Sequence, residues 1–216
     1  LASLNQSLKD AMAENDRVVV IGEDICDPYG GAFKVTKGLS TSHPERVFNS
    51  PISEGAISGI AGGLALRGFL PVVEIMFGDF LALCADQLLN GISKFPLMYK
   101  DKVEMPVVIR TPMGGGRGYG PTHSQSIEKM FLGMPGLRVV SPSPFHDSGA
   151  LLKKAVVDDR SPVLFLENKV MYPKLLATAG ESIHIEEHAH EDGYPVMVAK
   201  NYDTGEPDAV VIGYGI

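Results

Sequence analysis

The chain has no tryptophan and only two cysteines, Cys26 and Cys84, far apart and in unlike surroundings. That excludes a disulfide framework and a cysteine-based zinc site, and it fits a reducing compartment. Positive charge is scarce too: 19 Lys and Arg stand against 26 Asp and Glu, a net charge of −7, and the longest basic clusters are pairs such as Lys153-Lys154. No basic face is offered to nucleic acid. No apolar run approaches the roughly 20 residues of a membrane span, and the start of the chain lacks a signal-peptide pattern. The expectation is a soluble protein, with neither nucleic acid nor a membrane as partner. Also missing are a Gly-x-Gly-x-x-Gly helix start after a strand and a Walker lysine, so the common phosphate-gripping loops are absent.

What is present is a globular composition, 44% hydrophobic over 216 residues, enough for one large core or for one domain and part of another. Short β-rich apolar runs at 17–22, 71–76, 106–110, 138–141 and 162–167 alternate with helical patterns at 53–66, 79–95, 124–132 and 144–157. This order predicts an α/β fold: a mostly parallel sheet with helices on both faces. Ser143 reads as the N-cap of the last helix, with Pro144 at its first position. Ahead of the first strand, Leu4, Leu8 and Met12 fall on one face of an amphipathic helix.

The ends of the chain read as cut. It starts at Leu1 rather than methionine, and 208–216 reads as a buried strand with its glycine turn but no crossover helix after it. Between 174 and 207 the texture turns polar, with His188 and His190 among acids. His-x-His flanked by carboxylates can hold a metal, but linkers of this composition are more commonly just solvated, and 195–200 adds one strand at most.

In such sheets ligands gather beyond the carboxyl ends of the strands. Three stretches fall there: Glu23-Asp24, residues 76–80, and residues 111–123. Glu54 stands where a loop turns into a glycine-rich helix, the one charged group in Asn49-Ser50-Pro51-Ile52-Ser53-Glu54-Gly55-Ala56-Ile57. A carboxylate desolvated at such a place can hold or lend a proton near neutral pH, the chemistry needed to protonate a heterocycle. An acid in a first helical turn is equally at home there for the helix dipole alone. Gly59, Gly62 and Gly63 leave one helical face as bare backbone, which suits close packing of a helix or chain and is compatible with a ligand.

The run Met113-Gly114-Gly115-Gly116-Arg117-Gly118-Tyr119-Gly120-Pro121 reads as a flexible loop delivering Thr122-His123-Ser124. Placed just before a predicted helix, His123 would meet the positive end of its dipole, which favours the neutral, proton-accepting ring. It can equally be a structural helix-start residue. Phe80 sits at a strand-to-helix junction, where an aromatic ring fills the core or offers a flat face to a planar ligand, with Met76 as a polarisable neighbour.

These segments occur in one order: Pro51-Ile52-Ser53-Glu54, Glu74-Ile75-Met76-Phe77-Gly78-Asp79-Phe80, Asp86-Gln87, Gly120-Pro121-Thr122-His123-Ser124-Gln125 and Pro142-Ser143. In that order the chain resembles the β subunit of thiamine diphosphate-dependent 2-oxo acid dehydrogenases, the pyruvate and branched-chain first components. The likeness reaches back to Gly22-Glu23-Asp24 and Gly30-Gly31-Ala32-Phe33-Lys34 and covers residues 3–173. It implies a transketolase-like pyrimidine-binding domain at 1–174, with 175–216 as the linker and first strand of a truncated C-terminal domain.

The resemblance also implies roles. Glu54 hydrogen-bonds a pyrimidine nitrogen of thiamine diphosphate and promotes the imino tautomer that deprotonates the thiazolium carbon. Ile52 and Met76 line the pyrimidine, Phe80 stacks on it, and His123 faces the reacting carbon and helps pass the acyl group to a lipoyl arm. Glu23 resembles an acid that links paired active sites in some members. The Gly-Asp-Gly magnesium and diphosphate motif is missing here, so the resemblance assigns magnesium to an α subunit or domain and completes the site only at that interface. It further implies an α2β2 assembly with a second β copy, a lipoyl-acyltransferase partner and a 2-oxo acid substrate. Residues around Val156 and Asp159 are where a potassium ion, held by backbone carbonyls in some relatives, is sought. The compartment would be the cytoplasm in a bacterium and the mitochondrial matrix in a eukaryote. A transketolase or deoxyxylulose phosphate synthase activity, and a non-catalytic dimerisation module, remain the alternatives.

Overall fold

The structure, a computed structural model, describes residues 1–177, 183–201 and 207–215. Its centre is a six-stranded sheet in the order β2-β1-β3-β4-β6-β5, every neighbouring pair parallel. The strands are β1 (Val18–Gly22), β2 (Val47–Asn49), β3 (Leu70–Glu74), β4 (Val108–Met113), β5 (Arg138–Val140) and β6 (Val163–Asn168). Side chains alternate between two cores. Val18, Val20, Val72, Val108, Val163 and Phe165 pack under α1 (Ala2–Glu14) and α5 (Ser148–Val157). Ile21, Val73, Ile109, Leu164 and Leu166 pack under α3 (Glu54–Leu66) and the segment from 78 to 98. Strands buried on both faces read as unbroken apolar runs, which is why four of them stand out in the sequence. No helix among the described residues is long and apolar enough to cross a membrane.

The first strand runs to β2 on one side, after the short helix α2 (Leu39–Ser42), and the chain then crosses over α3 to β3 on the other. This reversal opens a crevice at the carboxyl ends of β1 and β3, with the start of α3 above it. Leu4, Leu8 and Met12 of α1 are buried as expected.

Three predicted helices take another form. The helix expected at 79–95 is a 3₁₀ helix (Gly78–Cys84), a wider π turn (Gln87–Ile92) and a short helix α4 (Phe95–Met98). Leu81, Cys84, Leu88 and Ile92, spaced three, four and four apart as on one helical face, stay buried through these changes of pitch. The helix expected at 124–132 shrinks to one 3₁₀ turn (Glu128–Met130), so no helix begins at His123 and the dipole argument for its ring does not apply. Helix α5 starts later than 144: Asp147 caps it, accepting from the backbone N–H groups of Gly149 and Ala150, while Ser143 bonds His146. Asp147 replaces Ser143 as cap because the Pro144 segment stays in the turn that leads to it.

The polar stretch expected as a solvated linker contains β7 (His184–His188), which pairs antiparallel with β8 (Val196–Lys200); only the second strand was expected. Residues 208–215 form no strand: Val211 and Ile212 are 94% and 93% exposed, with no sheet edge beside them to supply backbone partners. Position 216 of that expected strand lies outside the described residues.

Candidate functional site

Glu54 opens α3 and is 5% exposed. Among the described residues its carboxylate receives no hydrogen bond. Directly beyond the end of β1 lies a second buried acid, Glu23, whose Oε1 has no partner although Ser53 donates a backbone N–H to its carboxylate. Burial raises the Glu23 pKa and the neighbouring Glu54 charge raises it further, against the Ser53 bond. Two buried acids thus share one corner. Beside them the Cys84 thiol lies 3.6 Å from the Glu54 carbonyl oxygen and 3.9 Å from that of Phe80. Burial and the same two carboxylates push this thiol up to about 11, despite the Ser58 hydroxyl, so it remains neutral.

The other wall is aromatic. The His123 ring meets Phe77 and Phe80 edge-on, with centroids 4.8 and 5.2 Å apart, and Phe77 also packs on Phe33 and Tyr119. Thr122 Oγ1 stands 3.0 Å from His123 Nδ1. The glycine-rich loop that carries His123 leaves β4 with Gly114, Gly116, Gly118 and Gly120 at positive φ, a path that side chains other than glycine rarely follow. Asp79 pins it, accepting from the backbone N–H and side-chain amide of Gln125 at 3.1 and 2.9 Å.

Of the residues named from the sequence, Glu54 and Glu23 come together, and Phe80 and His123 come together, with half-buried Met76 immediately before Phe77. Ile52 does not join them: it is 85% exposed. Val156 is buried in α5, and the Asp159 carboxylate is taken up by Arg138 and Tyr194. Among the described residues no group of three or more His, Cys, Asp or Glu could hold a metal ion. A cavity of about 530 Å³ lies elsewhere, between Leu1, His146 and Tyr172.

The sequence reading missed Lys169 and the group formed by Glu74, Arg110, Glu167 and Tyr172. Lys169 follows β6, is fully buried, and donates to the His123 carbonyl. Arg110 binds Glu74 and Glu167 across three adjacent strands, and Tyr172 donates to Glu167 at 2.5 Å. The available signal was a charged residue inside each apolar strand run, since a charge there must find a counter-charge.

Comparison with known proteins agrees with this layout. Residues 2–174 match the family described as transketolase, pyrimidine binding domain. The chain is 43% identical over 171 residues to the 3-methyl-2-oxobutanoate dehydrogenase subunit beta of Mycobacterium tuberculosis, covering 79% of this chain and 49% of that protein. It is 39% identical over 179 residues to the acetoin:2,6-dichlorophenolindophenol oxidoreductase subunit beta of Cupriavidus necator, covering 79% and 53%. Against the mitochondrial pyruvate dehydrogenase E1 component subunit beta-1 of Arabidopsis thaliana the identity is 36% over 199 residues, covering 92% and 52%. The chain therefore spans about half the length of each of these relatives. A solved split-gene transketolase, described as an inactive β4 tetramer, superposes with a TM-score of 0.59 at 25% identity, covering 77% of this chain and 50% of the other. The α/β sheet, its switch point and the match over residues 2–174 make one assignment: this chain belongs to the transketolase pyrimidine-binding domain family.

Proposed function

We propose that this chain is the pyrimidine-binding part of the β component of a thiamine diphosphate-dependent 2-oxo acid dehydrogenase, which decarboxylates a 2-oxo acid and passes the acyl group to a lipoyl-acyltransferase. The observation that carries the reading is Glu54, a buried carboxylate with no hydrogen-bond partner among the described residues, next to a second buried acid. Buried acids gathered in a crevice point to a functional site, because placing them there costs free energy that the fold alone does not return.

The residues fit a planar nitrogen heterocycle. Glu54 would meet its ring nitrogen and exchange a proton there, Phe80 and Met76 would flank the ring, and His123 would accept or relay a proton on the reacting side. Thiamine diphosphate, when bound, would supply an electron sink for the negative charge left on the substrate's carbonyl carbon when carbon dioxide departs. Residues 1–174 form this domain in our reading, and 175–216 lead into a further one. Magnesium and the diphosphate belong to an α partner. Backbone carbonyls near Val156 and Asp159 would hold a potassium ion.

A partner surface is available beside the site. Gly55 and Gly62 face inward, close to the Leu83 carbonyl and the Ile92 side chain, which lets the 78–92 segment pack tightly on α3. Gly63 and Ile60 face outward instead, and Leu83 is exposed as well. This bare face supports assembly with an α subunit and a second β copy.

The test is turnover by the intact protein assembled with an α partner, thiamine diphosphate and magnesium. Pyruvate, 3-methyl-2-oxobutanoate and acetoin are offered as substrates, since the relatives named above differ in these. Decarboxylation of a 2-oxo acid, lost in Glu54→Gln, is the expected result. A folded, cofactor-loaded assembly with no turnover of any 2-oxo acid, or a Glu54→Gln variant at full rate, overturns the reading.

A further inference from the structure

Lys169 is fully buried, and its ammonium makes no ion pair among the described residues. Its one side-chain hydrogen bond goes to the backbone carbonyl of His123. The rest of its surroundings are the faces of Phe77 and Tyr119, with Nζ 5.0 and 5.5 Å from the ring centroids. Burial lowers the lysine's pKa, the Asp79 charge opposes this, and Arg117 adds to the lowering. Lysine is almost never buried without a counter-charge, because its ammonium is strongly hydrated. An arrangement this costly asks for a reason in the group that it holds.

That group is the loop from 114 to 126. With four glycines at positive φ its backbone has little stiffness of its own, so the place of His123 depends on ties from outside the loop. Two such ties bracket the histidine. Asp79 holds the Gln125 backbone on one side, and Lys169 holds the carbonyl of residue 123 itself. Lys169, directly after β6, is in turn fixed to the end of β4, since its backbone N–H bonds the Met113 carbonyl at 3.1 Å, and Arg117 reaches back to the Lys169 carbonyl at 3.3 Å. The ammonium thus connects a rigid strand end to the one soft loop of the site. A carbonyl accepting from a charged donor is held more firmly than one bonded to a neutral group.

We propose that Lys169 is a positioning residue: its ammonium clamps the His123 carbonyl and so fixes the imidazole against Phe77 and Phe80 for acyl transfer. The clamp is a statement about this chain's own loop. Its role in turnover rests on the function proposed above.

Two readings on the intact assembly separate the two claims. In Lys169→Met, amide hydrogen exchange of 114–126 is expected to rise about tenfold or more while β1 and β4 stay protected. With a lipoyl acceptor, kcat is expected to fall roughly tenfold with KM for the 2-oxo acid within about twofold, and Lys169→Arg recovers most of the loss. Should the methionine variant not fold, Lys169→Gln, which stays polar, serves for both measurements. Unchanged exchange in a folded variant overturns the clamp. A looser loop with kcat intact, or a raised KM with kcat intact, overturns the positioning role. A looser loop in a protein whose wild type turns over no 2-oxo acid supports the clamp and sinks the functional reading instead.

Discussion

Two groups of buried acids sit at the same end of the same sheet, and they are treated in opposite ways. Glu74 and Glu167 flank Arg110 on neighbouring strands, Tyr172 donates to Glu167, and Ala32 donates a backbone N–H to Glu74. Burial alone would weaken the guanidinium's charge, but Glu167 and Glu74 more than reverse this and raise the Arg110 pKa. The surrounding chain is fitted to the cluster: a Cβ on Gly31, at φ +80, would stand 2.7 Å from Glu74 Oε1. Among the described residues Glu54 and Glu23 have no cation beside them, and Glu23 keeps an oxygen with no partner. The first group joins β3, β4 and β6; the second is left open toward the crevice. Buried acids that share a counter-charge in place belong to the architecture, whereas buried acids without one among the described residues are available to a ligand.

The largest test of this contrast compares one substitution in each group. Glu54→Gln is expected to lower turnover of the assembled enzyme by about 10³-fold or more, the range for loss of a proton-transferring group, with unfolding stability unchanged or higher. Arg110→Met is expected to do the reverse in kind. It strands two carboxylates in the core and lowers the unfolding free energy by about 3–5 kcal/mol in urea titration. A stability loss in Glu54→Gln as large as in Arg110→Met would erase the distinction between the two groups.

A smaller effect is expected at the aromatic wall. Phe80 is half-buried and touches His123 and Phe77 through its ring edges and faces. Phe80→Ala should weaken binding of a thiamine diphosphate analogue about tenfold, the range of a lost ring contact plus its buried area, as read by calorimetry on the assembly. Unchanged affinity would move the ring from the binding wall to the core.

The sheet was legible because four strands are buried on both faces and spell β-branched runs, and because α1 shows its Leu4, Leu8 and Met12 stripe. The changes of pitch between 78 and 98 were not. Leu81, Cys84, Leu88 and Ile92 satisfy a helical spacing whether the backbone winds as α, 3₁₀ or π. The loop from 114 to 126 was recognised, but a helix was expected after it. Ile127 and Phe131 are spaced as on a helix, while contacts with Asp79 and Lys169, distant in sequence, set the actual path. At the site, Glu54, Phe80 and His123 could be named from their segments. Lys169 and Arg110 could not, because a pattern of spacing carries no information on which buried charges meet across strands.

The finest test is the pH dependence of Glu23. Its pKa lies above the ordinary 4.5, first through burial and then through the Glu54 charge. A carboxyl that is more basic folded than unfolded binds its proton in the native state over a range where the unfolded chain has released it. Its contribution is therefore fully favourable below the unfolded pKa and is lost as pH rises through the raised native one. Glu23→Gln stays neutral throughout. The variant and the wild type should unfold alike near pH 4, and the variant should become the more stable of the two toward pH 7. In a Glu54→Gln background the gap should narrow, because one of the causes that raise the Glu23 pKa has been removed. An equal gap in both backgrounds would mean that the two acids do not sense each other, and the corner would then hold two separate buried carboxyls rather than one coupled pair.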